Sequence, residues 1–275
     1  MSSIAALPRH AAPQPFGAHL RHWRQHRRLS QQGLAEEAEI STRHLSFVET
    51  GRALPSREMV LRLAERLDVP LRERNAMLVA AGYAPMYRER PLDDPALSPA
   101  REAVELILRA HEPNPALAVD RHWNLVAGNR MLPHLMAGAD AQLVQGRVNV
   151  LRLSLHPQGL APRIVNLGQW RDHLFERLRQ QVQATGDATL ASLLEELRAY
   201  PVPGDAHDTR LEGEHVGVAL PLRFRTLDGQ VLSFISTTTV FGTAVDVTVQ
   251  ELTLETFFPL DAVTADALRR VAAGL

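Results

Sequence analysis

The chain has 275 residues, 45% of them hydrophobic and 22% charged. These are ordinary globular proportions that exclude global disorder and, at ~100–200 residues per domain, leave room for two domains. The absence of cysteine excludes disulfides, thiolate zinc sites and thiol redox chemistry, and no apolar run approaches the ~18 residues of a membrane span.

Residues 1–15 hold four Ala and three Pro and read as a flexible arm. They lack a charged region followed by a long apolar one, so no secretory signal and no membrane partner are expected, and the location expected is the cytoplasm. The net charge of −1 hides an asymmetry: residues 1–90 carry 14 Arg against 9 acids, the remainder 16 Arg against 22 acids. There is no Lys, and Arg9, Arg21, Arg24, Arg27 and Arg28 all precede the first acid, Glu36. A basic first part beside an acidic remainder fits a polyanion-binding module joined to something else.

Helical signals run from Phe16 to Tyr83. Phe16, Leu20 and Trp23 share one helix face. Ser30 is placed to cap a helix over 31–38 with Leu34, Ala35 and Ala38 inward. Ser41 is placed to cap the next, with Leu45 and Val48 inward and Gly51 at its end. Pro55-Ser56 opens a fourth helix striped by Met59, Val60, Leu63, Ala64 and Leu67, and a fifth runs from Leu71 to Ala81. Residues 16–83 therefore read as a compact all-α domain of five helices.

Residues 84–99, with four Pro, read as a linker, and residues 100–275 as a second domain. There, a helix spans about 98–110, a strand pair lies in ALAVDRHWNLVAGN, and helices cover 167–184 and 188–200. The last third alternates with period two over 216–224, turns at Asp228-Gly229, and continues through VLSFISTTTVF and VDVTVQELTLETF. A three-stranded antiparallel meander combined with helices and an earlier strand pair makes an α/β (α+β) sensor-like layout.

The stretch Leu29–Gly51 holds two short helices with a three-to-four-residue connection and the small Ala35 where they cross. A helix-turn-helix needs this shape, because its second helix enters the major groove. Ser41, Thr42, Arg43 and His44, then Ser46 and Phe47, stand at the start of that helix, where side chains reach base edges. The plainer alternative for Arg43 is a solvated surface arginine, and for Arg21–Arg28 a solvated face.

Here the chain resembles the Xre/Cro-type helix-turn-helix of lambdoid phage repressors over residues 16–80. The likeness lies in L-S-Q-x-x-L-A at Leu29–Ala35, S-x-x-x-L-S-x-x-E-x-G at Ser41–Gly51, and Pro55-Ser56. It implies a lambda-repressor-like fold, a phosphate contact from Gln31, and base contacts from Thr42, Arg43 and Phe47. It further implies a structural ion pair between Arg24 and Glu49 and approach of Arg52 and Arg57 to the DNA backbone. Phe47 departs from the polar residue of phage repressors and is left to touch a thymine methyl or to pack inside. The implied partner is operator DNA, most economically an inverted repeat bound by a homodimer.

Residues 100–275 contain no Gly-rich phosphate loop, no G-x-S-x-G and no H-E-x-x-H. No catalytic residue, metal or cofactor is expected. His207, Asp208 and His215 fit no metal-ligand spacing, and Asp205, Asp208, Glu212 and Glu214 read as a solvated acidic loop. HEPNPALAVDRHWNLVAGN, VNVLRLSLHP, the helix with Trp170 and Arg171, and FGTAVDVTVQELTLETFFP resemble the MmyB-type ligand-binding domain. That resemblance spans about 100–270 and implies a PAS-like fold holding a small apolar effector such as a fatty acid. Trp123, Phe234 and Phe241 are the candidate ligand-binding residues. The expected function is a DNA-binding transcriptional regulator, a repressor by family analogy. The alternatives are an antitoxin-type regulator whose second domain binds a protein, and a DNA-targeted enzyme.

Overall fold

In the computed structural model, which describes residues 14–201 and 220–274, the chain divides into two compact units. One comprises residues 1–89 with 245–247, the other 90–244 with 248–275.

Among the described residues the first unit is built from five helices: α1 Phe16–His26, α2 Gln31–Glu37, α3 Thr42–Glu49, α4 Arg57–Arg66 and α5 Leu71–Ala80. Ser30, Ser41 and Ser56 cap three of them, their hydroxyls accepting the N–H of Gly33, His44 and Met59. Each cap satisfies one of the donors that a helix start leaves without an intrahelical partner. Leu20, Leu34, Leu45, Val60, Leu63, Met77 and Leu78 are wholly buried, so every helix gives an apolar stripe to one core. α1 crosses α3 so closely that a Cβ on Gly17 would lie 2.3 Å from the Glu49 carbonyl oxygen. Only glycine allows that approach.

Residues beyond α5 continue on the same unit. The Asn75 side chain accepts from the N–H of Met86 and Tyr87 and donates to the Tyr87 carbonyl. The stretch 84–99, expected as a linker, also contains a 3-10 turn at Pro95–Leu97.

The second unit is α+β. Among its described residues the helices are α6 Ser98–Ala110, α7 Leu132–Met136, α8 Ala141–Val144, α9 Val150–Leu155, α10 Leu167–Thr185, α11 Ala188–Arg198, α12 Val247–Gln250, whose first residue is counted with the first unit, and α13 Ala262–Ala273. Its strands are β1 Ala116–Val119, β2 Leu125–Gly128, β3 Leu222–Arg225, β4 Val231–Val240 and β5 Thr253–Pro259. They form one antiparallel sheet in the order β2-β1-β5-β4-β3. Thr237 stands opposite Thr256, and Ala118 opposite Leu254.

Alternation of side chains splits the sheet's apolar residues between two faces. Ala116, Ala118 and Leu254 pack under Val104 and Leu108 of α6. Leu117, Val119, Phe224, Leu232 and Phe234 join Trp170, Leu174 and Leu178 of α10 in the larger core.

The expected strand VDVTVQELTLETF is corrected at its start: Val247–Gln250 is one helical turn, and pairing begins only at Thr253. The Val247 N–H donates to the Arg88 carbonyl and the Thr248 hydroxyl to the Arg90 carbonyl, so these polar groups are satisfied away from the sheet. The period-two run 216–224 is described only from residue 220, where Leu222–Arg225 is a strand; 216–219 lie outside the described residues. So do Asp205, His207, Asp208, Glu212, Glu214 and His215. Helix α13 had no forecast from the sequence.

Candidate nucleic-acid interface and ligand cavity

In the first unit a buried polar cluster sets the pose of α3. Arg24 on α1 forks onto Glu49, with Nε 2.6 Å from Oε1 and Nη2 3.1 Å from Oε2, while its Nη1 donates to the Leu29 carbonyl. Gln31, the first residue of α2, donates to Glu49 Oε2 at 2.7 Å. The Glu49 side chain is fully buried. Burial pushes its carboxyl up, but the Arg24 and Gln31 hydrogen bonds and the nearby Arg24 and Arg21 charges outweigh this, holding it below the usual glutamate range. One carboxylate thereby ties α1, α2 and α3 together.

The opposite face of α3 is open. Ser41, Thr42, Arg43, Arg52 and Arg57 are exposed, and His44, Ser46 and Phe47 are half-buried. Phe47 joins no core cluster. The Arg43 and Arg52 guanidinium carbons lie 5.3 Å and 6.0 Å from its ring centroid, so one aromatic ring is in contact range of two cations. Ser41 is committed to its cap, and Arg57 opens α4, where helix N–H groups favour an anion. Arg21, Arg27 and Arg28 are all exposed; Arg27 donates to the carbonyls of Leu67 and Asp68, and Arg21 lies 3.7 Å from the Glu49 carboxylate. A helix presented this way has the width to enter a major groove of ~12 Å.

The second unit holds an apolar cavity of about 110 Å³ between the sheet and α9–α10. Trp123 and Phe234 line it; Phe241 does not, and packs with the cluster under α6. Trp123 sits at φ 65°, a left-handed backbone position unusual for a bulky residue. The Asp120 carboxylate holds this turn by accepting the N–H of His122 and Asn124, the Asn124 amide and Arg147. Burial opposes ionisation of Asp120, but those hydrogen bonds win and keep its carboxyl below the usual range. The Trp123 indole donates to Gln181 at 2.7 Å, and Arg177 lies over the ring at 4.6 Å.

Nearby, Asp187 caps α11 and takes bonds from Arg121 and His122. Burial is overcome by these partners, and its carboxyl falls to about 2. The Asp120 and Asp187 clusters, Gln181 and the Arg177–Glu255 pair were not anticipated. Beside the local bonds of Asp120 to residues 122 and 124 and of Asp187 to residue 189, the partners Arg147, Arg121, Gln181 and Glu255 come from 27 to 78 residues away, a separation without a local sequence signal. Among the described residues, no group of three or more His, Asp or Glu is arranged to hold a metal ion, and no helix is long and apolar enough to cross a membrane.

Residues 100–271 match the family model of the MmyB-like transcription regulator ligand binding domain, and residues 15–77 match a helix-turn-helix domain. No curated protein matches the chain. Among solved structures it is similar to the clp gene regulator ClgR from Corynebacterium glutamicum, at 24% identity over 38% of this chain and 99% of that one, with a TM-score of 0.23. It is also similar to an RNA-binding light-oxygen-voltage receptor, at 16% identity over 95% of this chain, with a TM-score of 0.27. The chain spans 63% of that receptor's length. At such distances neither likeness bears on function.

Proposed function

Because the chain belongs to the MmyB-like transcription regulators and carries a helix-turn-helix domain ahead of the ligand-binding domain, we propose that α3 reads a specific operator while the second domain senses a small apolar effector. In this reading the first unit is an Xre-type module, the second is PAS-like, and the protein acts in the cytoplasm as a homodimeric repressor.

The observation that carries the reading is the solvent-facing edge of α3, where Arg43 and Phe47 stand with Arg52 of the following turn, on a helix braced from behind by the buried Arg24–Gln31–Glu49 cluster. Bracing matters because base readout needs donors held in register with base edges. The supporting observation for the sensor is a cavity walled by indole, phenyl and leucine side chains with few polar groups, the usual make-up of a small-molecule site.

The test is selection of DNA from a random pool followed by footprinting. An inverted repeat with half-sites ~34–36 Å apart is expected, since a two-fold dimer places its reading helices one turn apart. Occupation of a short unsymmetrical site by a monomer would overturn the dimeric reading.

A further inference from the structure

The cavity in the second domain carries its charge as a closed pair. Among the described residues, four that line it are polar by side chain apart from the tryptophans: Ser154, Arg177, Ser236 and Glu255. Both indole N–H groups are already spent, Trp123 on Gln181 and Trp170 on Ser154 Oγ. Arg177 donates to the Glu255 carboxylate and, at 2.8 Å, to the Thr238 hydroxyl. Glu255 is nearly buried, its side chain 7% exposed. Among the described residues one cation is therefore matched by one anion, with a hydroxyl and an indole face against the arginine. His173 lies near both charges, and burial together with Arg177 holds it below the usual histidine range, so it adds no third charge at neutral pH.

A ligand carboxylate placed here would bring a second anion beside Glu255 with a single arginine to serve both, where little water screens the repulsion. A ligand ammonium would meet Arg177 in the same way. A neutral ligand meets neither obstacle. Its hydroxyl or carbonyl meets the hydroxyls of Ser236 and of Ser154, whose oxygen accepts from Trp170, and a hydroxyl can both donate and accept. The volume of about 110 Å³ is near the ~150 Å³ of an engineered apolar cavity that admits benzene.

We propose that this cavity selects an uncharged apolar molecule of about that size, bearing one hydroxyl or carbonyl, and rejects carboxylates of equal length, fatty acids among them. The proposal rests on the reading of the cavity as the effector site.

The experiment titrates the full chain with 1-hexanol, hexanoate and hexylammonium at neutral pH. Binding is followed by calorimetry and by fluorescence of Trp123 and Trp170. The alcohol is expected to bind at least about tenfold more tightly than either ion. Glu255→Gln, which leaves Arg177 unmatched, is expected to move the hexanoate-to-hexanol affinity ratio about tenfold toward hexanoate. Should that variant not fold, the order of the three ligands on the native chain decides alone. Hexanoate binding as tightly as hexanol or better would overturn the selection for neutral ligands while leaving the cavity an effector site. No binding of any of the three, nor of 1-decanol, would overturn the cavity as an effector site, and the selection with it.

Discussion

Arg43 is the second residue of α3, exposed, with its guanidinium resting 5.3 Å from the Phe47 ring centroid. Stacking on Phe47 limits the directions the fork takes and lowers the entropy lost on docking. A guanidinium forked onto guanine discriminates by ~1–3 kcal/mol. Arg43→Ala is therefore expected to abolish preference for the selected operator over scrambled DNA while retaining much of the nonspecific binding, measured by titrating both duplexes at one salt concentration. An equal loss on both would make Arg43 a phosphate contact.

Glu49 stands at the same scale with the opposite job. Its carboxyl ionises more readily in the folded domain than in the unfolded chain. Its contribution is thus whole above the ordinary glutamate value of 4.5 and is lost as pH falls through the lowered one. Glu49→Gln strands Arg24 in the interior and is expected to cost ~3–5 kcal/mol at neutral pH. Unfolding experiments on the two proteins should converge on acidification, because protonated Glu49 resembles the amide. A gap that stayed constant with pH would refute the assigned role.

Among the elements, the contact of α1 with α3 is the tightest constraint on the reading helix. A methyl group at Gly17 would press on the carbonyl oxygens of Glu49 and Val48, which are backbone atoms unable to swing aside. Gly17→Ala is expected to destabilise the domain by at least the ~1–3 kcal/mol of an overpacked core and to shift α3, so thermal unfolding and operator affinity should fall together.

The helices of this domain were legible in the sequence because local chemistry marks them: Ser30, Ser41 and Ser56 at the starts, and apolar stripes of helical period between. Several ends were not. α1, α2 and α4 close on Arg28, Glu39 and Asp68 in the left-handed region at φ 56°, 56° and 47°, with no glycine to announce it. That Ser41, Thr42 and Arg43 stand exposed at the start of α3 was legible from spacing, whereas the engagement of Gln31 with buried Glu49 depends on tertiary packing. In the second domain, β-branched Val247 and Val249 mimic a strand, yet a helical turn buries both. Strand alternation put Phe234 on one face with Leu232 and Ser236, and it does line the cavity with Trp123; Phe241, equally apolar, packs with the cluster under α6, which only the strand register reveals.

For the whole molecule, sensing and DNA reading must be linked thermodynamically if the regulator responds to its effector. If saturating ligand changes operator affinity by some factor, operator must change ligand affinity by the same factor. The expected outcome is a matched pair of shifts, each between about 5-fold and 150-fold, read by titrating DNA with and without ligand and ligand with and without DNA. Absence of either shift would leave a bound ligand without a regulatory effect.

Strand β1 stands between two worlds one residue thick. Leu117 and Val119 touch the cavity side, while Ala116 and Ala118 lie against α6 with nothing larger than a methyl group between helix and backbone. Tight interiors transmit displacement rather than absorb it. β1 is thus built like the diaphragm of a pressure gauge: a guest that swells the cavity has little slack to take up on the far side before α6 must ride outward with the strand.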